Sequence, residues 1–238
     1  MSKQQQAPES QPHDLLAQAP WVSSLAPQEW HQAQRETVVS HFEAGTVVCA
    51  SGVPARHWIG VLDGMVKVNT ASADGRFTTL SGISSGGWLG EGSMLKHERR
   101  PYEVVTLRDS WLALMPAATF DRLCATSLGF NQFLVRQLNA RLGQFLAVVE
   151  SQRIHTTTSQ VAVCLWELVN PALCGPVRGP LRLSQEDFAK LCGLSRQVAA
   201  RALHDLEAAG LVSLRYGGIE VLDTDGLQAW CRGSRVAS

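Results

Sequence analysis

The sequence predicts an α+β protein in three parts: an antiparallel β-rich unit, a long helix suited to dimerisation, and a C-terminal winged helix-turn-helix. Three observations carry this. Glycines punctuate short β-rich runs between residues 40 and 117, the hydrophobic period turns helical after Gly129, and residues 183–207 spell two short helices around a glycine turn. The chain has 238 residues, enough for more than one hydrophobic core, and is 45% hydrophobic and 18% charged. Such a composition excludes a disordered chain. No run approaches the roughly 18 consecutive apolar residues of a membrane helix.

Residues 1–20 are rich in Gln, Pro and Ser and are expected to form a mobile, disordered tail. The first residues lack the apolar core of a signal peptide, so a cytoplasmic location with no membrane contact is expected. From Trp21 to Val39 the pattern is one of short helices. The β-rich unit follows, with runs at Thr46–Cys49, Trp58–Leu62, Met65–Val68 and Val104–Leu107; Asp63-Gly64 and Asp74-Gly75 read as hairpin turns. Many short strands at even spacing imply an antiparallel roll, barrel or sandwich.

The long helix carries Val135, Leu138, Leu142, Phe145 and Val149 at alternating spacings of three and four, the a/d pattern of a helix that pairs with a partner. Phe130, Phe133, Leu134, Leu146 and Val148 lie off that stripe. Two apolar faces suit a helix that packs on its own domain with one and on a second copy with the other; a single wide core-facing stripe is the alternative. Thr156–Ser159 then supplies capping chemistry that restarts a helix.

The helix-turn-helix is the most specific feature. Ser184 caps the first helix, with Leu183 and Phe188 as its hydrophobic staple. Gly193 makes the turn, Ser195 caps the second helix, and Ala209-Gly210 stops it. Phe188, Leu191, Leu194, Ala199, Ala202, Leu203 and Leu206 are expected inside, with Ala189 small at the helix crossing. The outward face carries Arg196, Gln197, Ala200, Arg201 and His204. Arg201 fits the O6/N7 edge of guanine and Gln197 the N6/N7 edge of adenine, while Ser195, Arg196 and the helix N-terminus suit a phosphate. The alternative is a solvated polar face. Leu211–Leu222 reads as strand, Gly-Gly turn, strand; Arg215 and Tyr216 at its tip are placed to touch the DNA backbone.

Lys+Arg 21 balances Asp+Glu 21, so the protein does not coat nucleic acid non-specifically. Residues 157–238 alone hold eight Arg/Lys and eight Asp/Glu. Weak non-specific affinity and reliance on direct base contacts and dimerisation follow. Cys49, Cys124, Cys164, Cys174, Cys192 and Cys231 match no zinc or iron–sulfur spacing and read as buried or incidental thiols. His97, near two arginines, is the one histidine worth inspecting as a metal or haem ligand, though a solvated loop side chain is the simpler reading. No metal site and no catalytic constellation is expected: His41, His57 and His97 are widely separated, and a cupin-like enzyme is therefore not expected.

This order of β-rich unit, long helix and winged helix-turn-helix resembles the Crp/Fnr family of bacterial transcription regulators, over about residues 25–225. The resemblance rests most on Leu191–Arg201 and on Gly87-Trp88-Leu89-Gly90-Glu91. It implies a jelly-roll or double-stranded β-helix sensor, cyclic nucleotide-binding-like, over 21–125, a dimerisation helix over 126–155 and a DNA-binding domain over 156–238. It also implies a homodimer on a palindromic double-stranded operator, with recognition helices about 34 Å apart, and a regulator is further expected to touch RNA polymerase. The family commonly has Arg-Glu where this chain has Arg196-Gln197.

In cyclic nucleotide-binding members a Gly-Glu pair contacts ribose, and an Arg followed by Ser or Thr holds the phosphate. Gly90-Glu91 match the first part; Arg99 and Arg100 compete for the second, and Pro101 stands where the hydroxyl belongs. Where such members present Thr and Ser to the adenine, this chain has Phe145 and Leu146. The resemblance thus implies a degenerate nucleotide pocket: a small effector, or none, with cyclic AMP not held in the usual mode. The N-terminal cysteine cluster of the oxygen-sensing branch is absent, so no iron–sulfur cluster is expected. A sensor working mainly through protein contacts is the alternative function.

Overall fold

The computed structural model describes residues 12–71, 77–154, 156–175 and 179–231. The first surprise is at the N-terminus. Within the segment expected to be a mobile tail, α1 (Pro12–Ala17) is helical, and Leu16 and Ala19 are buried, as is Trp21 just after it. The Gln/Pro/Ser composition hid two apolar anchors, Leu16 and Ala19, that pack with Trp21 and the β-rich unit; residues 1–11 lie outside the described residues. A short 3-10 turn (Val22–Ser24) leads into α2 (Pro27–Glu36), whose Glu29 side chain accepts from the Ala26 backbone N–H at 2.8 Å.

Eight strands follow: β1 (Val38–Phe42), β2 (Val47–Cys49), β3 (His57–Asp63), β4 (Met65–Ala71), β5 (Phe77–Ser84), β6 (Trp88–Leu89), β7 (Glu103–Thr106) and β8 (Ser110–Pro116). They form two antiparallel sheets in the orders β1-β8-β3-β6 and β2-β7-β4-β5. Four pairs are nested, β1 with β8, β2 with β7, β3 with β6 and β4 with β5, as in one long hairpin rolled up; this is the expected jelly roll. The nesting corrects one turn. Asp63-Gly64 does not close a hairpin, because β3 and β4 lie in different sheets and the turn carries the chain between them. An Asp-Gly pair reports a reversal of direction, not which strand pairs with which. Across Asp74-Gly75 the expected β4–β5 pairing does form, although the turn itself lies outside the described residues.

Between β6 and β7 the short α3 (Glu91–Leu95) and a loop run over one end of the roll. Then α4 (Ala117–Thr126) leads into α5 (Leu128–Ile154), the predicted long helix. Its first half is anchored by Phe130, Phe133 and Leu134, which join Trp21, Trp58, Trp88 and Phe120 in one aromatic core. Trp21 alone meets Trp88, Trp30, Trp58 and Phe130 at centroid distances of 5.3–6.2 Å.

The opposite face of α5 is bare: Val135, Leu138, Leu142 and Phe145 are exposed, and Val149 is half-buried. Leu146, expected with the inward set, is also exposed at 58%. It lies four residues past Leu142 and so falls beside the outer stripe. Val148 instead packs against the C-terminal core.

That C-terminal unit consists of α6 (Thr157–Val169), α7 (Gln185–Leu191), α8 (Arg196–Ala208), the hairpin β9 (Val212–Arg215) and β10 (Gly218–Val221), and α9 (Thr224–Cys231). Thr156, Ser184 and Ser195 cap α6, α7 and α8, each side chain accepting a backbone N–H in the first turn. The unit is docked on the roll. Ser84 Oγ donates to the Leu168 carbonyl at 2.5 Å, and a Cβ at Gly82 on β5 would stand 2.7 Å from Leu168 Cδ2 and 3.3 Å from Leu191. Gly82 therefore admits two leucines of the C-terminal unit that any side chain would push away.

Candidate functional site

Two sites emerge, one on α8 and one beneath α5. In the helix-turn-helix, Phe188, Ala189, Leu191, Ala199, Ala202, Leu203 and Leu206 are buried and Leu194 is half-buried, as the pattern requires. Gly193 has φ 66°, the left-handed turn. Ser195, Arg196, Gln197, Arg201 and His204 are exposed and Ala200 half-buried, all on one side of α8.

The acidic groups of this unit are engaged elsewhere. Glu186 holds Lys190 at 2.7 Å, Asp187 accepts the Ser184 hydroxyl at 2.6 Å, and Glu207 accepts the Leu214 N–H at 2.8 Å. Among the described residues Arg196, Gln197 and Arg201 make no side-chain hydrogen bond or ion pair. Two expected contacts are partly committed: Arg215 pairs with Glu220 at 3.1 Å, and His204 Nδ1 lies 3.4 Å from Glu207. Tyr216 stands fully exposed at the hairpin tip.

The second site is built on the β6–α3 junction. Gly90 has φ 99°, and a Cβ there would stand 2.2 Å from Arg100 Nη1, so glycine lets the guanidinium lie over the turn. Of the two competing arginines the structure buries Arg100 and leaves Arg99 exposed. Arg100 is 1% exposed, donates to the His57 carbonyl and to Tyr102 Oη at 3.2 Å, and has no carboxylate partner among the described residues. Arg99 is exposed and donates to the Gly52 carbonyl at 2.7 Å. The buried cation marks its surroundings. Burial and the Arg100 charge, in that order, push the His57 imidazole down; burial outweighs Arg100 in pushing the Tyr102 phenol up.

Glu91 is 2% exposed. Its Oε1 accepts Arg141 Nε at 2.6 Å, while its Oε2 is buried without a partner. Arg141 also donates to the Trp88 carbonyl, which Gln137 reaches at 3.3 Å.

Sequence reasoning missed Arg141. The signal was present in the helix period: Phe130, Leu134, Gln137, Arg141, Gln144 and Val148 share one face, so the inward stripe turns polar in its middle, over the site. Phe145 does not join this pocket in the single chain; it is 63% exposed on the other face of α5. His97 is 70% exposed and lies 4.0 Å from Asp121; no set of three or more His, Cys, Asp or Glu suited to a metal occurs among the described residues.

Comparison with known proteins covers the regions that hold both sites. A cyclic nucleotide-binding domain family matches residues 39–127 and a Crp-like helix-turn-helix domain matches residues 159–230, together about two thirds of the chain. The chain belongs to the Crp/Fnr family of transcription regulators. It is 27% identical over 202 residues to the transcriptional regulator SdrP of Thermus thermophilus, covering 82% of this chain and 93% of that relative. It is 23% identical over 217 residues to a CRP-like cAMP-activated global transcriptional regulator of Mycobacterium tuberculosis, covering 90% and 97%. The solved structure of FixK2 from Bradyrhizobium japonicum shares the fold, with a TM-score of 0.66 at 16% identity over 85% of this chain and 98% of that one.

This Crp/Fnr chain is therefore a regulator with a helix-turn-helix DNA-binding domain, not an enzyme. No helix among the described residues is long and apolar enough to cross a membrane. In the region that matches the cyclic nucleotide-binding domain, the Gly90-Glu91 turn and Arg100 lie together, and Arg141 of α5 reaches Glu91. The chain departs from the family pattern at exposed Pro101 and at Phe145 and Leu146.

Proposed function

We propose that this Crp/Fnr regulator binds a palindromic operator as a homodimer and responds to a small phosphate-bearing effector held between Glu91, Arg100 and α5. The observation that carries the DNA reading is the outward face of α8, where Arg196, Gln197 and Arg201 are exposed and, among the described residues, make no side-chain hydrogen bond or ion pair. In the major groove Arg201 reads guanine and Gln197 reads adenine, while Ser195 and Arg196 hold phosphate at the helix N-terminus. Gln197 in place of the family's usual Glu shifts the base preferred at that step. Arg215, already paired with Glu220, contributes at most a backbone contact.

The exposed row Val135, Leu138, Leu142 and Phe145 supports the dimer, since burying each such side chain yields about 1.5–3 kcal/mol. Leu142→Glu is expected to give a monomer in sedimentation with no operator binding; a dimeric Leu142→Glu chain would remove α5 as the interface. Selection of duplexes from a random pool is expected to return two inverted half-sites about one helical turn apart. A pool that enriches no palindrome would overturn the reading.

For the effector, the residues fit a sugar-phosphate in part. Arg100 is a buried cation for the anionic group, and Glu91 Oε2 is a buried acceptor for a hydroxyl. Pro101 adds neither hydroxyl nor N–H, and Phe145 and Leu146 offer a base only apolar surface. The ligand supplies charge to Arg100 and competes with Arg141 for Glu91, which couples the roll to α5. Calorimetry with cyclic AMP, cyclic GMP and cyclic di-GMP at millimolar concentration tests this; absence of heat with all three would discard the nucleotide reading. Surface contact with RNA polymerase belongs to the same proposal, and pull-down with core enzyme on operator DNA checks it.

A further inference from the structure

The helix α8 carries one large apolar side chain that the fold leaves unused. Ala199, Ala202, Leu203 and Leu206 form its buried face. Val198 is 42% exposed and is not among the apolar side chains packed on the C-terminal core. A single exposed valine on an ordinary surface calls for no explanation. The placement of this one does.

Val198 is the third residue of α8, and its backbone N–H donates to the Ser195 Oγ cap at 3.4 Å. It therefore belongs to the first turn, the part of a helix-turn-helix recognition helix that meets base edges. Its neighbours are the polar groups of the outward face. Gln197 precedes it, and Arg201 stands three residues on, so the Val198 and Arg201 Cβ atoms lie about 5–6 Å apart on the helix surface. The residue type is also a poor choice for solvent. Valine is a weaker helix former than Ala, Lys, Glu or Gln, and none of the burial that usually offsets this is present. What a β-branched side chain offers instead is stiffness: its χ1 is nearly fixed in a helix, so its two methyls are presented in one orientation at little entropic cost.

The major groove has one matching apolar group, the C5-methyl of thymine. We propose that Val198 is a specificity-determining residue that reads a thymine methyl within two base pairs of the guanine taken by Arg201. The distance limit follows from the spacing of the two side chains, 5–6 Å, against a base-pair rise of about 3.4 Å. Arg201 and Gln197 supply the hydrogen-bonding part of the readout, and Val198 supplies the apolar part, excluding water from the methyl. Cytosine and uracil lack that methyl and leave both surfaces wet. Burying one methyl corresponds to about fourfold in affinity for each half-site.

The inference rests on the operator-binding reading above, and the experiment separates the two. The full-length protein selects duplexes from a random pool, and Arg201→Ala with base-substituted duplexes locates the guanine. Each thymine of the half-site is then replaced singly by uracil, which keeps base pairing and removes only the C5-methyl. Fluorescence anisotropy is expected to show one thymine within two base pairs of that guanine where uracil weakens the parent about fourfold. Val198→Ala should bind the thymine duplex about fourfold more weakly than the parent and be indifferent to uracil at that position. Where cytosine replaces that thymine, 5-methylcytosine should restore a similar factor to the parent and nothing to the variant. The unfolding midpoint of Val198→Ala should not fall, since the side chain is outside the core and alanine is the stronger helix former.

A pool that enriches no duplex overturns the operator reading and this inference with it. An enriched duplex that has no thymine in that window, or whose thymines there all tolerate uracil, overturns the methyl contact alone. Equal uracil losses in the parent and in Val198→Ala would assign the methyl effect to DNA shape and likewise remove Val198 as its reader.

Discussion

The two arginines proposed to meet anions, Arg201 on α8 and Arg100 in the pocket beneath α5, are held in opposite ways. Arg201 stands in solvent, without a hydrogen-bond or ion-pair partner among the described residues, and its charge costs little to keep there. Arg100 is 1% exposed and held by a carbonyl and a phenol, both neutral, so its desolvation is incompletely offset. Glu91 beside it is buried with one oxygen paired and one not. The solvent-facing site is designed for binding at no expense to the fold. The buried site is coupled to the fold, so whatever binds there acts on stability and on α5 together.

The largest effect expected from this contrast is at Glu91. Glu91→Ala leaves Arg141 without its carboxylate against the Trp88 carbonyl, and removing one member of a buried pair costs about 3 kcal/mol. Thermal or denaturant unfolding should show the midpoint falling accordingly. A variant as stable as the parent would mean that Arg141 finds solvent freely and that pocket and α5 are not coupled.

Arg201→Ala is the converse. It should leave the unfolding midpoint unchanged and cost about 2 kcal/mol per half-site on the selected duplex, the worth of one bidentate base contact. Anisotropy with base-substituted duplexes checks it: the variant should lose discrimination at one position. Equal weakening on every sequence would reassign Arg201 to phosphate.

The same contrast explains what could be read without coordinates. The α8 face is local: residues one turn apart meet by helix geometry alone, so Ser195, Arg196, Gln197 and Arg201 could be placed from their spacing. The pocket is non-local. Its members come from β3, the β6–α3 junction, the segment before β7, and α5, and their meeting depends on the nested strand pairing. Gly90-Glu91 could be recognised as a pattern. The choice of Arg100 over Arg99 could not, because adjacent residues point to opposite sides and only the register decides which goes inward.

In the single chain Phe145 lies on the other face of α5, while Arg141, four residues earlier, is the side chain that reaches Glu91. In the same way Asp63-Gly64 marked a turn without its partner strand. The apolar residues of 12–21 were too sparse to announce a helix that is stable only because the roll covers it.

A smaller effect joins the two regions. Glu167 on α6 sits where the C-terminal unit meets α5; burial pushes its carboxyl up to about 7, against the Gln144 hydrogen bond and the Arg141 charge, which lower it. The folded chain thus holds this proton more tightly than the unfolded chain, whose carboxyl titrates near its ordinary value of 4.5. Its contribution to stability is complete below that value and is lost as pH rises toward 7. With solvent partly screening a half-buried side chain, the loss should be on the order of 1–2 kcal/mol. Glu167→Gln removes it. Denaturant midpoints at pH 5 and pH 7.5 should differ less for the variant than for the parent; an identical pH dependence would place the titration elsewhere.

The smallest effect carries the contrast furthest. Arg100→Met keeps most of the side-chain volume, removes the buried charge, and gives up two hydrogen bonds to neutral acceptors. Replacing a buried ion with an apolar side chain of similar size is often neutral or stabilising, so the unfolding midpoint should stay level or rise by about 1 kcal/mol. Tyr102 sets the limit on that gain, because its hydroxyl loses the Arg100 donor in a buried setting. The Arg100→Met chain should at the same time lose any calorimetric response to a phosphate-bearing ligand, with its affinity for the selected duplex unaltered in the absence of ligand. A rise in stability with loss of effector binding would identify Arg100 as a residue kept for its ligand at a cost to the fold. A loss of several kcal/mol would instead make Arg100 a structural strut, tying β3 to the segment before β7, and the pocket would then be read from Glu91 and Arg141 alone.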